Sequence, residues 1–186
     1  ISGKSIAELT QTGIYKPLRM TRSAMGLGAF KLSEVILNQV EKAAPESGAG
    51  AANTKAWDWN SHYWRKLGAP WGAAHGSAED MARFLNEFLT HSGKILKPAT
   101  SRLMVQNQNP NGMRPRGLGF DLGKIGGTPL LHPDSYGHTG STGTICWADP
   151  TTNSICVILT TLPARAVSPH PRDQASERVA NAILKM

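Results

Sequence analysis

Residues 136–144 read Tyr-Gly-His-Thr-Gly-Ser-Thr-Gly-Thr, and they lead directly into the apolar run Ile145–Ala148. A polar segment, Asp149–Asn153, comes next and is followed by the β-branched residues of Ser154–Thr161. Runs rich in Val, Ile, Thr and aromatic residues on either side of Asp, Pro and Asn are typical of strands joined by a turn. This stretch therefore predicts the centre of an antiparallel sheet whose first strand begins among several glycines.

Strand and helix signals flank this predicted sheet. Gly117–Gly123 combines glycine with apolar residues and predicts an earlier strand. Arg172–Met186 places apolar residues at the spacing of one helix face, which predicts a helix that lies against the sheet. Helices followed by a strand meander and a covering helix are typical of an α+β fold, or of one part of a larger layered α/β fold.

Helix-start signatures occur twice in the first 110 residues. Ser5–Glu8 has the S-x-x-E form of a capping box, and Gly13 predicts the end of the helix that follows it. Ser77–Asp80 is the second signature, and Gly93 predicts the end of its helix. Apolar residues at helical spacing predict that one face of this second helix is buried. They are Met81, Phe84, Leu85, Phe88 and Leu89.

The remaining segments of the first 110 residues have less regular patterns. Apolar residues at helical spacing from Leu32 to Val40 predict another helix that ends before Pro45. Residues 45–56 are small and polar and predict a surface excursion. Trp57–Trp71 mixes aromatic residues with Gly and Pro, which predicts a loop at a core edge or cleft. Pro98 predicts the first turn of a short helix.

Charge and hydropathy exclude several classes of protein. The 186 residues include 20 Lys and Arg against 13 Asp and Glu, a net charge of +7. A strongly positive net charge is typical of proteins that bind nucleic acids. However, the only adjacent basic pair is Arg65-Lys66, and no helix carries a basic stripe interleaved with aromatic residues, so we expect no nucleic-acid partner. No apolar run approaches the ~18 residues of a membrane helix, so we also expect no membrane span.

Five basic residues fall between Glu87 and Asp121 without an intervening acidic residue. They form either a positive rim that attracts small carboxylates or an ordinary solvated surface, and both interpretations remain open. The five are Lys94, Lys97, Arg102, Arg114 and Arg116.

Histidine, glycine and cysteine spacings predict no metal site and no cofactor. The six histidines lack H-x-x-x-H and H-E-x-x-H spacing. His75, at a predicted helix entrance, either borders a cleft or is packed. Gly117–Lys124 fits no nucleotide-binding loop. With a five-residue turn, Cys146 falls opposite Cys156, and the spacing leaves both a cross-strand disulfide and two free thiols open.

The glycine-rich stretch 136–144 is the candidate binding site. Glycines leave backbone N–H groups accessible, and the hydroxyls of Thr139 and Ser141 can bind a carboxylate or an amide of a ligand that docks along the strand. The alternative is a strand entrance with a solvent-facing His138 and no ligand. Spacing alone leaves both interpretations open.

His138-Thr139-Gly140 resembles the third motif, K-T-G or H-T-G, of the penicillin-recognising serine hydrolases, in particular the class C β-lactamase-related group. This group includes D-alanyl-D-alanine carboxypeptidases and esterases. The resemblance implies part of an α+β fold of the β-lactamase/transpeptidase type. Residues 1–110 would belong to the helical subdomain, and residues 111–186 would form the C-terminal strands and covering helix. Other similar stretches are 2–9, 17–20, 71–84, 117–120 and 147–150.

The resemblance implies roles for four residues. Thr139 and Gly140 would bind substrate, and the Ser141 N–H would be one of two oxyanion-hole donors. His138 would take the catalytic position at which many relatives have the lysine of K-T-G. The family's nucleophile is the serine of S-x-x-K, assisted by the tyrosine of Y-x-N. No serine here has lysine three positions later, and no tyrosine has asparagine two positions later. We therefore expect the nucleophile-bearing portion to lie upstream of Ile1.

The expected function is that of the C-terminal part of a serine hydrolase that opens amide, lactam or ester bonds of a small acyl substrate. The isolated chain is expected to be inactive. A half-domain exposes an apolar sheet edge, so the expected partner is an N-terminal fragment of the same protein or a second copy. The alternative is a non-catalytic half-domain that binds peptidoglycan or protein. The resemblance implies a periplasmic or secreted location.

Overall fold

The computed structural model describes residues 2–40 and 58–185, which form helices packed on an antiparallel sheet. No helix within these ranges is long and apolar enough to cross a membrane. The helices are α1 (Ile6–Thr10), α2 (His62–Leu67), α3 (Ala78–Thr90), α4 (Pro98–Met104) and α5 (Pro171–Ile183). The strands are β1 (Ala24–Met25), β2 (Ala74–His75), β3 (Asp121–Leu122), β4 (Tyr136–Thr139), β5 (Ile145–Asp149) and β6 (Ser154–Ile158).

The main sheet has four antiparallel strands in the order β3-β4-β5-β6. This confirms the predicted antiparallel sheet and the α+β class. Strands β1 and β2 form a separate antiparallel pair. The predicted strand Gly117–Gly123 is limited to Asp121–Leu122, because the Gly117 N–H donates to the Phe120 carbonyl at 2.9 Å and closes a turn. The division of the chain at residue 110 stays a prediction.

Each face of the main sheet packs against one long helix. On one face, Tyr136 of β4 joins Leu85 of α3 in a buried apolar cluster. On the other face, Trp147 of β5 joins Ala180 of α5. Side chains along a strand alternate between the two faces of a sheet, so both sets are buried and the sheet lies between the two helices. The covering C-terminal helix predicted from the sequence is confirmed.

Helix α3 begins and packs as the capping signature and the apolar stripe predict. The Asp80 N–H donates to Ser77 Oγ at 3.2 Å, which satisfies one of the free donors at the helix start. The helix ends at Thr90, where His91 takes a left-handed φ of 48°, so it stops before the predicted Gly93. The short helix α4 starts at Pro98 as predicted.

The predicted end of the first helix is wrong. Ser5 and Glu8 form the predicted capping box of α1. The chain then continues past Gly13 as a π-helical turn, Gln11–Tyr15. Tyr15 is buried in a small apolar cluster, and the continued helical path is what carries it there.

The predicted helix from Leu32 to Val40 is also wrong. Only Leu32–Glu34 is helical, as a single 3-10 turn. Ile36 is 77% exposed, so the apolar residues do not share one buried face. The Asn38 N–H donates to the side-chain oxygen of Asn60 at 2.8 Å, and this long-range bond replaces a helical one. The predicted end before Pro45 lies outside the described residues.

The aromatic segment Trp57–Trp71 contains a helix that the sequence pattern missed. Helix α2 begins after Ser61, whose hydroxyl accepts from the Trp64 N–H at 3.1 Å. This helix has only six residues and buries Trp64 and Arg65 side by side, which leaves no apolar period to detect. The predicted surface excursion at 45–56 lies outside the described residues.

The two cysteines do not face each other. Cys146 pairs with Val157, and Cys156 pairs with Trp147, one residue away from the predicted register. A shift of one residue moves a side chain to the other face of a sheet, and the two thiols belong to different apolar clusters. Both are free. The disulfide interpretation is therefore wrong, and the two free thiols are confirmed.

Candidate functional site

The four predicted site residues, 138–141, lie together where β4 ends and the chain turns into β5. The Gly140 N–H donates to the Thr144 carbonyl at 2.9 Å, and the Gly143 N–H donates to the Gly140 carbonyl at 3.0 Å. These two bonds close a tight turn between the strands. We call residues 140–144 the site turn.

The predicted site is at the surface. His138 and Ser141 are exposed, whereas Thr139 and Gly140 are half-buried. Strand alternation places the His138 side chain on the α3 face of the sheet, with Tyr136, and the Thr139 side chain on the α5 face. The side chains of His138 and Thr139 therefore project to opposite faces of the sheet.

The edge of β4 is open beside His138 and Thr139. Strand β3 pairs only with Tyr136 and Gly137, so in the described part of the chain no strand continues along β4 beyond Gly137. An open strand edge presents unpaired N–H and C=O groups to an extended ligand. The geometry therefore fits a ligand that docks along the end of β4.

Three donor groups at this edge have no protein partner. Within residues 2–40 and 58–185, the Ser141 N–H and the hydroxyls of Thr139 and Ser141 make no hydrogen bond to the protein. An unpaired N–H or hydroxyl donor is suited to bind a carboxylate or an oxyanion.

Both ring nitrogens of His138 have hydrogen-bond partners. Nδ1 donates to the Thr139 carbonyl at 2.7 Å. Nε2 lies 3.0 Å from Nη2 of Arg116 and accepts from it, because a guanidinium group only donates. Neither ring nitrogen of His138 is therefore free to bind a ligand in this arrangement.

Arg116 connects His138 to the part of the predicted basic rim that lies nearest the site. Arg116 Nη1 lies 3.0 Å from Oδ1 of the buried Asp121, and Arg114 Nη2 lies 4.0 Å from the same oxygen. Two of the five rim residues therefore gather beside β4, and Asp121 partly neutralises them. Arg102 lies instead beside His91, whose pKa is lowered mainly by burial and also by this arginine.

Arg172 is a residue at the site that the sequence pattern did not single out. It lies in the first turn of α5 and is buried. Its Nη1 donates to the carbonyl of Gly140 at 2.8 Å and to the carbonyl of Thr144 at 3.0 Å. These two bonds attach the site turn to the covering helix α5. No local sequence signal could have revealed this contact, because the two segments are far apart in the chain.

Gly137 is required by the pairing of β4 with β5. A Cβ atom at this position would lie 2.1 Å from the Cys146 carbonyl oxygen and 2.8 Å from the Trp147 Cα atom. A larger residue would push the two strands apart and displace the site turn. Gly137 is therefore needed for the close pairing of β4 with β5, independently of any ligand that residues 138–141 bind.

Neither cysteine is a candidate nucleophile. Burial raises the pKa of the Cys146 thiol, and it raises the pKa of the Cys156 thiol to about 11. Both groups are thus protonated near neutral pH, and the thiol is a poor nucleophile compared with the thiolate.

His75 and the acidic residues form no second centre. His75 Nδ1 lies 2.9 Å from the Gly26 carbonyl, and burial lowers the pKa of this imidazole. It is a packed histidine of the small β1–β2 pair. No group of three or more His, Cys, Asp or Glu side chains is placed to hold a metal ion in the part of the chain that the structure describes.

A cavity of about 670 Å³ lies beside the start of α5. Its lining comes from Gly127, residues 164–170 and the first two turns of α5, and it includes none of residues 138–141. The cavity borders the site turn through Ala164, whose N–H donates to the Ser141 carbonyl at 3.0 Å.

Comparison with known proteins identifies the family. The Beta-lactamase family model matches residues 1–181, so the chain belongs to the β-lactamase family. No curated protein matches the chain.

Solved structures share the fold over the whole chain. EstA from Arthrobacter nitroguajacolicus Rue61a has a TM-score of 0.72 at 20% identity, and the match covers 100% of this chain and 55% of that one. A penicillin-binding protein homologue from Caulobacter crescentus has a TM-score of 0.72 at 21% identity, with 98% and 54% covered. A mutant of the simvastatin synthase LovD from Aspergillus terreus has a TM-score of 0.70 at 15% identity, with 100% and 53% covered.

These similarities confirm the predicted β-lactamase/transpeptidase-like fold. At identities of 15–21% they show the fold alone. The chain spans about half the length of the solved structures that it matches.

Proposed function

We propose that the chain is the C-terminal part of a serine hydrolase that acts on amide, lactam or ester bonds through a covalent acyl-enzyme. The observation that carries the proposal is the open edge of β4, where the Ser141 N–H and the Thr139 hydroxyl are unpartnered. A small acyl substrate docked along this edge would offer its carbonyl oxygen to the Ser141 N–H, and the Thr139 hydroxyl would bind a different oxygen of the substrate. Membership of the β-lactamase family supports this chemistry.

Each of the four site residues has a proposed role. Thr139 and Gly140 bind a carboxylate or carbonyl of the substrate. The Ser141 N–H stabilises the oxyanion that forms when the acyl carbon is attacked, and His138 takes the catalytic position of the lysine in K-T-G. The attacking serine, its lysine and a tyrosine come from the S-x-x-K and Y-x-N segments that this chain lacks. Covalent catalysis therefore requires a longer form of the protein or a second chain.

The first test is turnover of nitrocefin and p-nitrophenyl acetate. The 186-residue chain alone is expected to show no acylation, and a longer form that carries S-x-x-K is expected to be acylated at that serine. Acylation at a serine within these 186 residues would contradict the proposed division of roles. An inactive longer form would favour a non-catalytic binding module.

A matched pair of variants tests the role of the Ser141 backbone in the longer form. Ser141→Ala keeps the N–H and should retain most of the rate. Ser141→Pro removes the N–H and should lower kcat by about 100- to 1,000-fold, the usual effect of losing one oxyanion-hole donor. Circular dichroism checks that both variants fold. Equal rates for the two variants would exclude this N–H from the reaction.

We further propose that the chain associates with an N-terminal fragment of the same protein or with a second copy. In the described part of the chain, no strand pairs with the outer edge of β6. Apolar residues are exposed nearby in sequence, including Leu159 at 44%. An unpaired apolar strand edge is a template for another chain.

Analytical ultracentrifugation tests the association. The chain alone is expected to sediment as more than a monomer, or to form a complex when the N-terminal fragment is added. Leu159→Lys should weaken either association, because a charge at the edge opposes strand pairing. Leu103→Lys on α4, which is 55% exposed, is the matched control and should have no effect. A compact, cooperative monomer that binds no fragment would contradict the proposal.

A further inference from the structure

We propose that Arg172 is a positioning residue that aims the Ser141 N–H at the bound acyl group. This inference rests on the proposed function, because it concerns the same oxyanion-binding group. Arg172 does not itself touch the substrate edge of β4. It acts on the opposite side of the site turn, through the Gly140 carbonyl.

The direction of the Ser141 N–H follows from the geometry of one peptide unit. The Gly140 carbonyl and the Ser141 N–H belong to the same peptide, and in a trans peptide they point in opposite directions. Arg172 Nη1 lies 2.8 Å from the Gly140 oxygen, on the side of α5. The Ser141 N–H therefore points away from Arg172, and it has no protein partner within the described residues.

The neighbouring peptide groups hold this arrangement from both sides. The Gly140 oxygen also accepts from the Gly143 N–H at 3.0 Å, and the Thr144 oxygen accepts from both Gly140 N–H and Arg172. On the other side of Ser141, its own carbonyl accepts from the Ala164 N–H at 3.0 Å. Rotation of either peptide would break at least one of these bonds.

Arg172 is itself held in place at the start of α5. Its backbone N–H donates to His170 Nδ1 at 3.1 Å, and His170 Nε2 donates to the Leu162 carbonyl at 3.1 Å. Both contacts are satisfied by the same tautomer of His170, with its proton on Nε2. Arg172 Nε lies 3.3 Å from Asp173 Oδ1. Arginine makes these contacts from separate nitrogens of one planar group, whereas lysine would have to make all of them from a single ammonium group.

The positive charge also acts on the chemistry of the donor. A cation that donates to the Gly140 oxygen polarises that amide, and hydrogen bonds in series strengthen one another. The Ser141 N–H is thus a better donor toward a developing oxyanion than an N–H whose carbonyl faces water.

Site-specific amide exchange in the 186-residue chain, followed by NMR, tests the positioning role without any activity. Arg172→Met should speed exchange of the Gly140 and Gly143 N–H groups by about 10-fold or more, relative to the Ala148 N–H in β5. A 10-fold change in exchange rate corresponds to a loss of about 1.4 kcal/mol of local stability. Arg172→Lys should give an intermediate change. Arg178→Met, on the exposed side of the same helix, is the control and should change none of these groups.

Two results would overturn the inference. One is equal exchange at Gly140 and Gly143 in Arg172→Met and Arg178→Met. The other is a uniform rise that includes Ala148, which would indicate a general loss of stability. If Arg172→Met does not fold, Arg172→Lys carries the same comparison.

Kinetics of the longer form then separate this inference from the proposed function. Arg172→Met should lower kcat about 10-fold or more with little change in KM, because the donor matters most when the oxyanion forms. A fall in kcat/KM through KM alone would contradict the positioning role. If the longer form is inactive with Arg172 in place, the proposed function fails, while the exchange result still decides whether Arg172 orients the turn.

Discussion

Replacing Gly143 with alanine is expected to lower the free energy of unfolding by about 3 kcal/mol or more, the sum of backbone strain and overpacking. Gly143 has a φ of +87°, and a Cβ atom there would lie 1.9 Å from the Leu162 carbonyl oxygen. That oxygen belongs to the backbone and cannot rotate away as a side chain would. Urea unfolding followed by tryptophan fluorescence measures the change.

Gly112→Ala is the matched control for this prediction. Gly112 has nearly the same φ, +88°, but nothing lies within 4 Å of its added Cβ. Gly112→Ala should therefore lower the free energy of unfolding only by the strain of the left-handed backbone, about 1 kcal/mol. Equal losses in the two variants would show that the contact between Gly143 and Leu162 does not constrain the turn.

Trp147→Ala is expected to have the second large effect, about 3–5 kcal/mol lost from the free energy of unfolding. Trp147 is only 1% exposed and is packed between the sheet and α5. Its Nε1 also donates to Ser176 Oγ at 2.8 Å. Truncation would leave a cavity between β5 and α5 and remove this hydrogen bond. Thermal and urea unfolding provide the measurement.

Trp71→Ala is the control for the loss of an indole ring. Trp71 is 67% exposed, so its truncation should change the free energy of unfolding by no more than about 0.5 kcal/mol. A small effect of Trp147→Ala would mean that the packing of α5 on the sheet does not depend on this contact.

The sequence was sufficient for elements whose signals are local. Helix α3 has a cap at Ser77 and a long apolar stripe, and both agree with its burial against the sheet. The hairpin of β5 and β6 was equally clear. Its register was not, because Asp149 pairs with Ser154 and the pairing differs by one residue from the predicted one. The sequence does not show whether the turn has the five predicted residues, 149–153, or the four observed ones, 150–153.

Elements set by distant contacts were not predictable. The apolar pattern from Leu32 to Val40 is as regular as that of many helices, but Asn38 bonds to Asn60 instead. In the same way, residues 138–141 could be singled out because they are contiguous. Their supports could not, because Arg116 and Arg172 reach the site from 22 and 32 positions away along the chain.

The placement of the two cysteines has a consequence for how the protein responds to oxidants. Cys146 pairs with Val157 and not with Cys156, and the two cysteine side chains project to opposite faces of the sheet. Their sulfur atoms therefore cannot approach to bonding distance while the strands stay paired. The folded chain therefore gains no internal crosslink in an oxidising medium and loses none in a reducing one. No part of its folding stability comes from an internal disulfide.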